Sequence, residues 1–378
     1  MLLLLSSDVL LSIVQYVTDT TNLSLVCHHL HAMLKHRYVK LSATQKITEG
    51  ILHCVSFCVH LDLRVATNAT MTQGCIANQP SRTDLAEFPT TTIQALSTRV
   101  FDDDVLPLLL CNSKKLRNLF VECGQVEAEF FSTSVMLCVS LQSLHLRFFG
   151  REVYPFIPRI LENLARHYTQ LVSIILDLTH HYLYGPLLLY KDLDSFSLPA
   201  TLEAVAVYLA EEAVCVFFGA IWRAIVSLTY IHTITIDLRV LGADLAGEVD
   251  DVLRSLGCIS RVHSLKCVSI HLDLLDDHTT HVACNCFLAG LLTLSGLQSV
   301  NVTISCDLTD ELVECIVALR HIRSLRYLTL IFAYNSLSTH GVQRLALIKK
   351  APALVRLSIE FGALWNQRQG WMSEISLS

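Results

Sequence analysis

The hexapeptide LRYLTL (Leu325–Leu330) has aliphatic residues at its first, fourth and sixth positions. Side chains alternate along a strand, so Leu328 and Leu330 share one face and Thr329 points to the other. The phrase recurs along the chain. LRNLFV starts at Leu116, LQSLHL at Leu141, LVSIIL at Leu171 and LEAVAV at Leu202. IHTITI follows from Ile231, LKCVSI from Leu265, LQSVNV from Leu297 and LVRLSI from Leu354. The spacing is about 30 residues, the length of one supersecondary unit in a repeat array. One such strand cannot stabilise itself, but parallel neighbours stacked side by side bury one shared apolar layer.

The segments between the phrases predict helices. YPFIPRILENLARHY (154–168), GEVDDVLRSLGCI (247–259), DLTDELVECIVALRHI (307–322) and STHGVQRLALIKKA (338–351) have apolar residues at helical spacing. Thr309 followed by Asp310 and Glu311 is a good helix start, and Ser338 or Thr339 offers another. The alternation of strands and helices predicts an α/β fold with the helices outside a parallel sheet. A doubly wound α/β domain shows a similar alternation, but without nine related phrases at near-constant spacing.

The L-x-x-L-x-L phrases from Ile93 to Gly362 resemble the leucine-rich repeat family, in particular its ribonuclease-inhibitor-like class with a helix in every unit. An earlier strand is expected at Leu52 (LHCVSF), followed by one at Ile93 (IQALST). The family usually places Asn or Cys three positions after the last aliphatic residue, where it bonds a turning backbone. Here those positions hold Gly124, Phe149, Thr179, Ala210, Arg239, Asp273, Ser305, Ala333 and Gly362, so the turn must be satisfied in another way. The resemblance implies a solenoid with a curved sheet inside. The fifth and seventh positions of each phrase would then line a concave, target-binding face. Phe120, His145, Arg147, Asp177, Tyr208, Asp237, His271 and Asn301 are the candidates. Their mixture of aromatic, polar and charged groups suits a protein partner.

The N-terminal stretch LSSDVLLSIVQYVTDTTNLSLVCHHLHAML (Leu5–Leu34) reads as two short apolar helices. A plain cap on the open end of the repeat stack would have this form. The order of residues also resembles an F-box, the helical motif that docks a Skp-type adaptor and through it a cullin-RING ubiquitin ligase. Leu5, Val9, Leu10, Ile13, Val14, Val17, Leu23 and Val26 match its adaptor-binding positions. Ser6 stands where the motif usually has Pro, Leu30 where it often has Trp, and the connection between the halves is short. MLLLL has no positive residue before it and meets Asp8 early, so a signal peptide is not expected.

The chain has 378 residues, 52% hydrophobic and 16% charged, with a formal net charge of −6. This composition favours a largely buried chain. The balance offers no broad basic surface for a nucleic acid. No uninterrupted apolar run is long enough for a spanning helix, so no membrane partner is expected. Fourteen cysteines include no C-x-x-C pair and read as reduced core residues. CHHLH (27–31) and the group His278, His281, Cys284 and Cys286 offer metal-ligating residue types, but neither has a standard ligand spacing. No catalytic motif, cofactor or metal is expected. The organisation expected is an F-box-like motif (1–40), a first irregular repeat (41–92) with a polar insertion (66–92), a solenoid (93–363) and a tail (364–378). The function expected is a non-enzymatic substrate receptor of a cullin-RING ligase, in cytoplasm or nucleus. The alternatives are a repeat scaffold without a ligase link and a dispersed-site enzyme on an α/β fold.

Overall fold

A computed structural model describes residues 39–42, 58–62, 95–99, 115–124, 140–149, 151–180, 196–210, 213–240, 254–274, 277–361 and 373–375. The F-box-like residues Leu5 to Val26 and the polar insertion 66–92 lie outside the described residues. The chain divides into two compact units, Met1–Leu171 and Val172–Ser378, and the division falls inside the stretch expected to form one array.

In the first unit, β1 (Val39–Ser42), β2 (Cys58–Asp62), β3 (Ala95–Arg99), β4 (Asn118–Cys123) and β5 (Ser143–Phe149) pair in chain order, every pair parallel. The helix α1 (Ile157–His167) follows a short 3-10 turn at Arg151–Phe156. β1 was not anticipated. β2 begins six residues after the expected Leu52, and the LHCVSF phrase itself lies outside the described residues. Leu61 of β2 pairs with Leu96, which pairs with Leu119, so β2 carries an aliphatic residue in phase with the later strands.

The second unit contains β6 (Ser173–His180), β7 (Ala204–Ala210), α2 (Gly219–Val226), β8 (Thr233–Val240), β9 (Cys267–Leu274) and α3 (Asp277–Leu291). β10 (Ser299–Leu308), α4 (Asp310–Ala318), β11 (Tyr327–Asn335), α5 (Thr339–Leu345) and β12 (Arg356–Phe361) continue the pattern. Seven strands, β6 to β12, pair in parallel and in chain order. A doubly wound sheet reverses its strand order at a switch point. No reversal occurs within either unit, so that alternative falls. The expected tail adds one antiparallel strand, β13 (Ser373–Ile375), with Ile375 opposite Ile359.

The buried layer is the one the phrases imply. Ile234 and Ile236 of β8, Val268 and Ile270 of β9, and Leu328 and Leu330 of β11 are all 3% exposed or less. The alternation runs further than the hexapeptide. The eighth positions Phe148, Leu178, Leu238, Leu272, Ile304 and Phe332 are completely buried. Phe149, Thr179, Ala210, Arg239, Asp273, Ser305 and Ala333 are therefore strand residues. There is no turn at these positions for an Asn or Cys to bond; Arg239 pairs in register with Ala210 and Asp273, and Thr179 N donates to the Asp177 side chain.

A second ladder joins the strand entries. The second-position carbonyl of one phrase accepts two N–H groups from the next. Val172 O accepts from Glu203 N (2.8 Å) and Ala204 N (3.0 Å), and Arg326 O from Val355 N (2.8 Å) and Arg356 N (3.0 Å). Ser264 Oγ donates to Ile231 O at 2.7 Å, and Ser324 Oγ lies 2.7 Å from both Ser295 O and Leu297 O. These contacts satisfy backbone groups that the turns would otherwise leave open.

The helices start as expected where a hydroxyl caps them. Thr309 Oγ1 accepts from Leu312 N at 3.5 Å, and Ser338 Oγ from Gly341 N at 3.1 Å. Of the expected 247–259 helix, 247–253 lie outside the described residues, Arg254 is helical and Ser255–Arg261 forms a 3-10 segment. α3 packs against that segment. A Cβ on Gly290 would meet Gly257 O and the Ile259 side chain at 2.7 Å, so the close approach requires a residue with no side chain.

Candidate functional site

The fifth, seventh and ninth positions stand on the sheet face opposite the buried aliphatic layer. All eight expected binding residues lie on this open face, in register rows. In the first unit, Phe120 pairs with His145 and Glu122 with Arg147. The Phe120 and His145 rings meet edge to face with centroids 4.4 Å apart. Arg147 lies 5.5 Å from the Phe120 ring centroid, and its Nη1 donates to Glu122 Oε1 at 3.0 Å. The guanidinium thus combines a cation–π contact with a charge-assisted hydrogen bond, which fixes its position on the face.

In the second unit, the seventh-position row runs Asp177, Tyr208, Asp237, His271, Thr303, Ile331 and Glu360 across β6 to β12. Asp177 and Asp237 are each only 6% exposed. Asp177 Oδ1 accepts from Thr179 N (3.1 Å) and Thr179 Oγ1 (2.7 Å). Asp237 is held by two neighbours. Arg239 donates through Nε to Oδ1 (2.9 Å) and through Nη2 to Oδ2 (2.8 Å), while His271 Nδ1 lies 3.2 Å from Oδ1. Burial alone would raise the Asp237 pKa. The hydrogen bonds from His271 and Arg239, and the charges on both, outweigh it and hold the carboxyl at about 2.

A carboxylate only accepts, so the proton of His271 sits on Nδ1 and the ring is oriented by Asp237. Tyr208 lies between the two aspartates in register. Burial, then Asp237, then Asp177 push its phenol above its ordinary range, so it remains a neutral donor. In the fifth-position row, Asn301 Nδ2 donates to Ser269 Oγ at 3.2 Å. Asp177, Tyr208, Asp237 and His271 are thus brought together, Asn301 stands one row away, and Phe120, His145 and Arg147 form the separate cluster of the first unit.

Arg239 was missed as a face residue because its position was read as a turn. The signal lay in the sequence: Leu238 and Val240 continue the alternation of ITI, which puts Arg239 outward beside Asp237. Asp273 was missed for the same reason.

From Asp277 onward, the segment that holds His278, His281, Cys284 and Cys286 is the start of α3. Cys284 is buried, and burial pushes its thiol well above the ordinary range. His281 Nε2 lies 2.9 Å from Asp307 O. Among the described residues, no group of three or more His, Cys, Asp or Glu residues is placed to hold a metal ion. Cys123, Cys284 and Cys306 are buried. Among the described residues, no helix is long and apolar enough to cross a membrane.

No family model and no curated protein matches the chain. Among solved structures, a Bacteroides fragilis protein determined by structural genomics superposes with a TM-score of 0.43 at 15% identity, covering 71% of this chain and 74% of that one.

Proposed function

We propose that this chain is a leucine-rich repeat protein that binds a target protein on its open sheet face and brings it to a ubiquitin ligase. The observation that carries the binding half is the row Asp177, Tyr208, Asp237 and His271, flanked by Arg239. Its groups are oriented by one another before any partner arrives, and preorganised side chains lose less conformational freedom on binding. Tyrosine and arginine beside fixed carboxylates suit a protein partner with its own hydrogen-bonding groups.

The ligase half rests on the F-box-like sequence. Leu5, Val9, Leu10, Ile13, Val14, Val17, Leu23 and Val26 would dock a Skp-type adaptor joined to a cullin. The chain would then do no chemistry. It would raise the effective concentration of its target near a ubiquitin-charged enzyme, as linked sites do. The place of action in this reading is the cytoplasm or nucleus.

The test is a pull-down of the full chain with a purified Skp-type adaptor, beside the variant Val9→Asp/Ile13→Asp. Far-UV circular dichroism verifies that the repeats remain folded. Capture that disappears in the folded variant is the expected result. Absence of capture by the intact chain would reduce the reading to a repeat scaffold without a ligase link.

A further inference from the structure

The strands β6 to β12 run in one direction, and the chain returns through the segments between them. Charges are sorted along that direction in the β9 to β12 repeats. Asp307, Asp310 and Glu311 lie at a strand end or in the first turn of α4. The entry segments 261–267, 292–299, 319–328 and 346–357 contain no carboxylate. Lys266, Arg323, Arg326, Lys349, Lys350 and Arg356 are all exposed on them.

Helix dipoles favour acids at helix starts and bases at helix ends, which accounts for Lys349 and Lys350 at the end of the 3-10 turn Ala346–Lys350. They do not account for Lys266, Arg323, Arg326 and Arg356, which sit in turns or strand entries. None of the six is held in an ion pair with another described residue.

The strand entries that carry Lys266, Arg326 and Arg356 are joined through the backbone. Lys266 O accepts from Gln298 N (2.7 Å), Gln298 O from Arg326 N (2.8 Å), and Arg326 O from Arg356 N (3.0 Å). Four strands place the rim over about 15 Å. Two apolar side chains stand among the charges: Tyr327, paired with Arg356 in register and 46% exposed, and Val355, 73% exposed. Nearby, Arg320 Nη1 is buried without a protein acceptor.

We propose that this strand-entry rim docks an acidic polypeptide segment, with carboxylates on the six cations and an apolar side chain against Tyr327 and Val355. The site is separate from the open-face row and does not depend on the ligase reading. A short acidic segment fits better than a long polyanion, because the rim spans only four strands on a chain of net charge −6. Arginine beside exposed tyrosine is the composition of a protein interface.

The probe is a labelled dodecapeptide alternating Glu with Leu and Tyr, titrated with the full chain in fluorescence anisotropy at low and high salt. Binding should weaken with salt, and its Gln-for-Glu analogue should not bind. Arg323→Glu/Arg326→Glu/Arg356→Glu should weaken binding at least about tenfold, and Tyr327→Ser/Val355→Ser should weaken it several-fold. Circular dichroism melting checks the fold. Should the triple variant not fold, Lys349→Gln/Lys350→Gln gives the same reading with a smaller loss. No binding by the native chain, or equal binding by the folded variants, overturns the proposal. Tighter binding to phosphatidylserine vesicles or to oligothymidine than to the peptide overturns the choice of partner.

Discussion

Within the second unit, the open face over β6 to β9 differs sharply from that over β10 to β12. The first carries Asp177, Tyr208, Asp237, Arg239, His271 and Asp273. At the same seventh and ninth positions the second presents Thr303, Ser305, Ile331 and Ala333, with a single charge at Glu360. Beneath both lies the same aliphatic layer: Ile234 and Ile236 on one side, Leu328 and Leu330 on the other, all at most 1% exposed. The backbone register is uninterrupted between β9 and β10 over Ser299–Ile304. The difference teaches that alternation separates two tasks. Inward residues hold the array together, while outward residues change from neutral to strongly charged without altering it.

The largest effect should ignore the comparison. Ile236→Ala in β8 and Leu330→Ala in β11 should each cost about 2–5 kcal/mol, because both remove buried methyl groups from a close-packed layer. Denaturant unfolding reads both; a much smaller cost on one side would mean the two buried layers are not equivalent. Arg239→Met should cost about 1–3 kcal/mol, since it leaves the buried Asp237 carboxylate with His271 but without its bidentate partner.

The acid response sharpens the contrast further. Asp237 has its pKa lowered from 3.8 to about 2 in the folded chain. A depressed folded pKa means stability that is fully present above 3.8 and lost as pH falls towards 2. After allowance for solvent screening, about 1–2 kcal/mol should disappear over that window, and Asp237→Asn should remove this part of the pH dependence. Stability measured against pH for the two chains checks it; superimposable slopes would remove Asp237 from the account. The smallest effect belongs to the less charged half: Thr303→Ala should shift stability by less than about 0.5 kcal/mol, without a pH component.

The legible parts of the molecule were those written in period. The aliphatic phrases named the buried layer from Leu116 to Ile359, and Thr309 and Ser338 marked helix starts by their capping chemistry. The ninth position was not legible because a six-residue phrase understates the length of the strand. β10 spans ten, so the ninth position was assigned to a turn, and Arg239 and Asp273 lost their place on the face. The Leu52 phrase lies outside the described residues, and it is pairing with Leu96 that sets the register of β2 beside it.

By itself, the sequence determined the repeating parallel-strand architecture, since a six-residue alternation returning every about 30 residues can bury its apolar face only against copies of itself. It determined which residues point outward, since alternation is local. Only the tertiary structure decided which outward residues meet. Asp237 and His271 are separated by one repeat, and whether they touch depends on register across two strands. A one-residue slip would move every partner, and no local signal in either phrase records that register.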